Sequence, residues 1–480
     1  MDFVTQMNRS VTDQVTMIVL VYFLLVNGFY LVLMVSAAWQ LRFHAFEVSG
    51  DGRHRLLSSQ IAPRISMLVP AHNEEATIVE SLRSLLTLAY PELEIVVVDD
   101  GSTDGTVAAM SEAFDLVPIH PIYARRIVTA PISDIYRARN NPNLIVACKA
   151  NGGKADALNA ALNVATGSLV CSLDADTLVD EDALQRLVRP FLRSEEVVAA
   201  GATIRVANAC VIRRGRVVEV RTPRTPLAGM QAVEYLRAFL FGRVGWNRLG
   251  GNIVISGAFG LFRRENLRSV GGYEHGVGED MEVIVRLRRR GYEDGTARQV
   301  EFVPDPVAWT EVPESLRVLG RQRDRWHRGL TDTLWRHRDV GLRPKYGALG
   351  MVLYPAFVTI EWFAPIVEAT GLVVLVFGLL LGAVDTQFAI LFVGVAYGLG
   401  LLLSIVAILL EEMSFRRYGG PRDRAWLLLW AAVENLGYRQ LTVWWRLRGI
   451  FGFLRGDTSW GAMERRGFAA EASPPERSAA

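Results

Sequence analysis

Hydrophobic positions along the chain change their period from zone to zone. Residues 16–39, TMIVLVYFLLVNGFYLVLMVSAAW, form one nearly continuous apolar run. An α-helix needs about 20 such residues to cross roughly 30 Å of hydrocarbon, so the run predicts a spanning helix. A cleaved leader has a basic start, a shorter apolar stretch and a small-residue cleavage site. Here Asp2 and Asp13 precede a run that ends at Trp39, so it reads as a retained anchor.

The second zone, about 63–338, alternates short β-branched runs with helical stripes. ISMLV (65–69), LEIVVVDD (93–100), LIVAC (144–148) and SLVCSLDAD (168–176) read as parallel strands buried on both faces. Between them, 75–88 places Ile78, Leu82 and Leu85 on one helical stripe, and 154–165 is rich in Ala and Leu. The alternation predicts an α/β fold, a doubly wound nucleotide-binding sheet whose ligand sites lie at the carboxyl ends of the strands. Residues 208–222, NACVIRRGRVVEVRT, read as a hairpin turning at Gly215.

Beyond residue 346 the apolar content rises again. Residues 371–384, extended back to about 364, and 388–410 read as good spans. Two flanking stretches are weaker: 349–363 holds Pro355 and Glu361, and 426–447 holds Glu434, Asn435 and Arg439. They fit interfacial or re-entrant helices along a polar path, or true spans with a buried ion pair. The predicted division is an amino-terminal anchor (1–41), an α/β domain (42–340), an α-helical transmembrane and interfacial region (341–450), and a cytosolic tail (451–480) whose end is disordered by composition.

Charge sharpens this plan. Arg42, Arg53, Arg55 and Arg64 outnumber Glu47 and Asp51 after the first span, so the positive-inside rule places the α/β domain in the cytoplasm. A net charge of +2 over 480 residues supplies no global basic field, which argues against nucleic acid as a partner. Cys148, Cys171 and Cys210 have neither disulfide nor zinc spacing and read as core residues in a reducing compartment.

Candidate chemistry sits where the strands end. Asp99 and Asp100 open the turn DDGSTDGT: they either bond a base or ribose, or make an Asx-type turn before the next helix. Asp174 and Asp176, two apart on a strand, point to one face, where both could hold Mg²⁺ or Mn²⁺ bridging a diphosphate. Lys154 in GGKADALN reads as a phosphate contact or a solvated helix-start lysine. Glu279 and Asp280 follow a Gly-rich loop at a predicted helix start, as a general base or as acids favoured by the helix dipole. In RQRDRWHRGL, Gln322, Arg325 and Trp326 share a helical face suited to pyrophosphate and to a stacked sugar ring, or to lying on lipid.

PAHNEE (70–75), VDDGSTDGT, NGGKADALN, DAD, SGAFGLFRRE (256–265), GED and QxxRW occur in the order seen in processive family 2 glycosyltransferases. The chain resembles the poly-N-acetylglucosamine, hyaluronan and cellulose synthases, most closely the first. That resemblance implies a GT-A fold and single-displacement, inverting transfer from a UDP-sugar to a growing polysaccharide or, alternatively, to a lipid-linked acceptor. It implies donor contacts at Pro70, Asn73, Glu74, Asp100, Lys154, Asp174, Gln322 and Arg325, and a metal at Asp174 and Asp176. It further implies catalysis by Asp280 with Glu279, and an acceptor contact at Trp326. The setting implied is a bacterial inner membrane, with membrane lipids and accessory export subunits as partners. GED stands where many relatives have TED, and HRGL replaces the small-residue loop common in the closest group.

Overall fold

The computed structural model describes residues 3–49, 62–174, 177–213 and 215–457, so Asp176 and the expected disordered tail lie outside it. At its centre is a ten-stranded mixed sheet. In chain order its strands are β1 (Ile65–Ala71), β2 (Leu93–Asp100), β3 (Leu116–Pro118), β4 (Ile132–Ala138), β5 (Leu144–Lys149), β6 (Leu169–Leu173), β7 (Leu178–Val179) and β8 (Val197–Val206). A separate hairpin of β9 (Val211–Arg213) and β10 (Arg216–Glu219) follows, then β11 (Phe259–Arg263) and β12 (Gln299–Thr310). Spatial order in the large sheet is β3-β4-β5-β2-β1-β6-β11-β8-β12-β7.

The heart of the sheet is the parallel set β5-β2-β1-β6, the four strands legible as apolar runs. Helices cover both faces, so these strands bury side chains on both sides, and β1 and β2 are almost wholly buried. Helix Ile78–Leu85 buries Ile78, Leu82 and Leu85 as its stripe predicts, and helix Lys154–Val164 buries ten of its residues. The hairpin turns at Gly215, whose φ of +71° favours glycine.

Sequence patterning did not supply the other half of the sheet. β8 (VVAAGATIRV) is buried along its whole length but is diluted by small residues, and β12 contains Pro304 and Pro306, around which its register against β8 shifts. β11 runs antiparallel between β6 and β8, so the sheet is mixed, not uniformly parallel. That reversal brings the loop entering β11 to the edge where β6 ends, because Phe259 pairs with Leu173.

Three helices are long and apolar enough to cross a membrane: Gln14–His44, Leu349–Leu380 and Thr386–Ser414. The weak stretch 349–363 thus runs continuously into the stronger one. Pro355 is accommodated between π-helical segments Leu349–Leu353 and Phe357–Trp362, a wider winding that absorbs the missing N–H and the ring clash. The stretch 426–447 instead divides into Pro421–Val433 and Tyr438–Leu454, separated near Gly437 at φ +90°.

Helix Tyr438–Leu454 is tied on both sides. Arg439 and Arg446 meet Glu368 (3.0 Å) and Glu361 (3.4 Å), pairs spaced seven residues apart on each helix. Its other side packs on helix Leu316–Arg336: Trp445 covers Gly320, Gly449 meets the Asp324 carbonyl, and Arg448 donates to Asp324 at 2.7 Å. Elsewhere Arg205 at the end of β8 pairs with Glu411 at the end of the last span, both 1% exposed, and Arg237 pairs with Glu434.

Candidate active site at the carboxyl edge of the sheet

Three turns meet where β1, β2 and β5 end. Asn73, at φ +56°, accepts from the Thr103 N–H (2.8 Å) and donates its own N–H to Ser102 Oγ (2.9 Å). The Glu74 N–H donates to Thr106 Oγ1 (2.9 Å), and Glu75 accepts from the Gly105 N–H (3.0 Å). Pro70, Asn73 and Glu74 therefore lie beside DDGSTDGT as one surface. Gly101, at φ +67°, is required there, since a Cβ would stand 2.8 Å from the Asn151 nitrogen.

The two acids of that turn differ. Asp100 accepts from the N–H groups of Gly152 (2.9 Å) and Gly153 (2.7 Å) and pairs with the buried ammonium of Lys149, which also meets Asp156 at 2.7 Å. Its carboxylate shapes the NGGK turn. Asp99 gives one oxygen to the Ser102 N–H (3.3 Å), while its other oxygen is buried with no hydrogen-bond partner. Of the pair, Asp99 has the spare acceptor capacity, although the family resemblance pointed to Asp100. Lys149 was missed in the sequence because a lysine ending a β-run carries no signal apart from its partner.

A second cluster joins β6 to three other elements. Lys154, the first residue of its helix, reaches Asp174 (2.7 Å) at the end of β6 and Glu279 (3.2 Å) at the start of helix Glu279–Asp294. Asp280 accepts from the Gly257 N–H (3.1 Å), in the loop before β11, and from the Met281 N–H (2.8 Å). A Cβ at Gly257 would lie 3.3 Å from Lys154 Nζ, a tight contact that glycine avoids. Beneath these groups is a small cavity lined by Lys154, Ser256, Tyr273, Glu279 and Asp280, among others.

Charge in this cluster is unbalanced. Burial pushes the Lys154 ammonium down, but Asp174 and Glu279 more than reverse this and hold it well above its ordinary pKa. Burial, then Glu279, push the Asp280 carboxyl up to about 6, against the opposing pull of Lys154 and the two N–H donors. A carboxylate so poised, held by two amides, has the basicity that proton removal near neutrality requires.

The QxxRW segment lies on helix Leu316–Arg336, capped by Ser315 accepting from the Val318 N–H (3.3 Å). Trp326 is 44% exposed, with the Arg323 guanidinium 4.5 Å from its ring centre, whereas Gln322 is buried and Arg325 half-buried. His327 is buried, and burial followed by Arg446 pushes its imidazole down to about 3, so it is neutral. Close contact with the base loop comes from a glycine pair: a Cβ on Gly278 would stand 2.9 Å from the Gly329 Cα. This accounts for the glycine of HRGL, which lets the QxxRW helix lie against the turn preceding Glu279 and Asp280. The structure thus joins Lys154, Asp174, Glu279 and Asp280 directly, brings the QxxRW helix against their edge, and sets Pro70, Asn73, Glu74 and Asp100 on the neighbouring turns.

Residues 66–271 match Glycosyl transferase family 2, and residues 169–403 match Glycosyl transferase family group 2. The chain is 28% identical over 312 residues to a probable glycosyltransferase, YdaM, of Bacillus subtilis, covering 62% of this chain and 64% of that protein. It is 29% identical over 301 residues to the poly-β-1,6-N-acetyl-D-glucosamine synthase of Staphylococcus epidermidis, covering 62% of each. The match therefore spans less than two thirds of either relative's length. Among solved structures, a mannosyltransferase from Pyrobaculum calidifontis in complex with GDP-Man and Mn²⁺ aligns with 86% of this chain and 99% of its own, at 21% identity and a TM-score of 0.48. The sheet is of the GT-A type. Residues 66–271 and 169–403 thus carry a family 2 glycosyltransferase domain, and the chain resembles the poly-β-1,6-N-acetyl-D-glucosamine synthases.

Proposed function

We propose that the chain transfers a sugar from a UDP-sugar to the hydroxyl of a growing polysaccharide with inversion, and that synthesis is processive and coupled to export. The observation that carries this reading is the Asp280 carboxylate, raised to about 6 and held by the Gly257 and Met281 amides beside Lys154 and Asp174. In this reading Asp280 takes the acceptor's proton as its oxygen attacks the anomeric carbon, and Glu279 tunes that base. Asp174 and Lys154, with Gln322 and Arg325, hold the diphosphate, and Pro70, Asn73, Glu74 and Asp100 shape the nucleoside end. Trp326 offers a face for the acceptor sugar.

Asp174 and Asp176 would hold Mg²⁺ or Mn²⁺. The donor chemistry fits: Asp174 presents a hard carboxylate with 29% of its side chain open at the end of β6. When bound, such an ion neutralises charge on the departing diphosphate.

Polar groups continue from the site toward the apolar helices. Arg243 has both Asp280 and Glu361 as electrostatic neighbours. Farther along, Glu368 and Arg439 pair at 3.0 Å while 32% and 46% of their side-chain surface stays accessible. This supports a path along which a hydroxyl-rich chain leaves through a bacterial inner membrane. In the same reading the protein is multi-pass, with the catalytic domain placed on the cytoplasmic side by the arginines that follow the first span, and accessory export subunits are expected partners.

The test uses purified full-length protein with Mg²⁺ and UDP-N-acetylglucosamine, UDP-glucose or UDP-glucuronate in turn. One donor should give protein-dependent UDP release and a product that lengthens with time. UDP release with only single-sugar products refutes processivity, and label partitioning into organic extract identifies a lipid-linked acceptor.

A further inference from the structure

We infer that Arg243, which no motif covers, is an acceptor-binding residue: its guanidinium donates to oxygens of the glycan chain on the membrane side of Asp280. The inference rests on the polysaccharide reading above and assigns a residue to its acceptor path.

Arg243 closes the π-helical segment Arg237–Arg243, a winding that re-aims side chains and recurs at functional sites. It is half-buried, so part of its side chain stays accessible. Its side chain makes one hydrogen bond, from Nη1 to the Val254 carbonyl at 2.9 Å. Among the described residues no carboxylate lies within ion-pair distance of it, unlike Arg237, Arg439 and Arg446 around it. A guanidinium has five N–H donors, and with one bonded to Val254 and the side chain half-buried, others remain open to a ligand's oxygens.

Its placement says which oxygens. Val254 lies in the same loop as Gly257, three residues before the amide that holds Asp280, so one short segment fixes both Arg243 and the base. The other electrostatic neighbour of Arg243 is Glu361, on the apolar helix Leu349–Leu380. Arg243 therefore stands between the base and the membrane segment. The donor-side groups Asp99, Asp100, Lys154 and Asp174 lie instead at the ends of β2 and β6 and in the turns beside them. A chain whose terminal hydroxyl faces Asp280 and whose body runs toward Glu361 passes the guanidinium, which can donate to two oxygens of one sugar unit at once.

The experiment compares wild type with Arg243→Gln and Arg243→Lys, as purified full-length protein in nanodiscs. UDP-N-acetylglucosamine is the donor and a soluble β-1,6-linked N-acetylglucosamine oligosaccharide is the added acceptor. Arg243→Gln should raise the KM for the oligosaccharide about tenfold or more and shorten the products. The donor KM and the slow acceptor-independent UDP release should stay within about twofold of wild type. Arg243→Lys, which keeps charge but loses the fork, should fall between, and it decides the matter if the Gln variant does not fold. An unchanged acceptor KM overturns the inference, and so does a parallel rise in donor and acceptor KM. Wild-type protein that turns over none of the UDP-sugars named above refutes the polysaccharide reading itself, a result distinct from an active wild type matched by an equally active Arg243→Gln.

Discussion

Two groups of charge in this molecule are built on opposite rules. At the sheet edge, Asp174, Glu279 and Asp280 surround a single cation, Lys154. Toward the apolar helices, Glu434, Glu368 and Glu361 each have their own guanidinium in Arg237, Arg439 and Arg446. Matched pairs offset part of their desolvation locally and hold helices together, whereas an unmatched acidic set leaves negative charge that a bound cation can offset. Charge balance, more than burial, separates the two regions. Arg243, lying between them without an ion-pair partner, belongs by this criterion with the site.

The comparison can be broken at several points. Asp280→Asn should lower turnover by about 10³-fold while nucleotide binding, measured by titration with UDP, stays near wild type. Lost binding with retained turnover would mean that this carboxylate serves the donor. On the matched side, Arg205→Met should leave chemistry intact but strand Glu411, costing about 3–5 kcal/mol in unfolding experiments. The double variant with Glu411→Leu should recover most of that loss; failure to recover would show that the pair does more than compensate charge. Gly329→Ala should push the QxxRW helix off the base loop and reduce kcat by about 10- to 100-fold, with donor KM changed far less.

The smallest effect concerns pH. Only the ionised form of Asp280 can accept a proton, so activity should be present above about pH 6 and fall as pH drops through that value. Because Glu279 raises the Asp280 pKa, Glu279→Gln should move this acid limb to lower pH. A limb that stays in place would remove Glu279 from the tuning.

Much of this was legible in the sequence, for identifiable reasons. Strands β1, β2, β5 and β6 are buried on both faces and so read as apolar runs, and the acids that end β2 and β6 stand out against them. Strand β8 hid behind alanines and glycine, and β12 behind its prolines, so the part of the sheet beyond β11 had no pattern to find. The resemblance pointed to Asp100, but which of two adjacent acids carries an unsatisfied oxygen depends on Lys149 and two backbone amides brought in by a different strand. Glu434 was visible as a charge in a weak span. Its partner, Arg237, lies almost two hundred residues away, beyond any local pattern.

The reversal of strand direction between β6 and β11 divides responsibility within the enzyme. On one side of β6 the parallel set β5-β2-β1 presents the turns at its carboxyl edge, and on the other side the loop entering β11 carries Val254 and Gly257, which hold Arg243 and Asp280. Selection could therefore exchange the polymer being made while keeping the way the activated monomer is gripped.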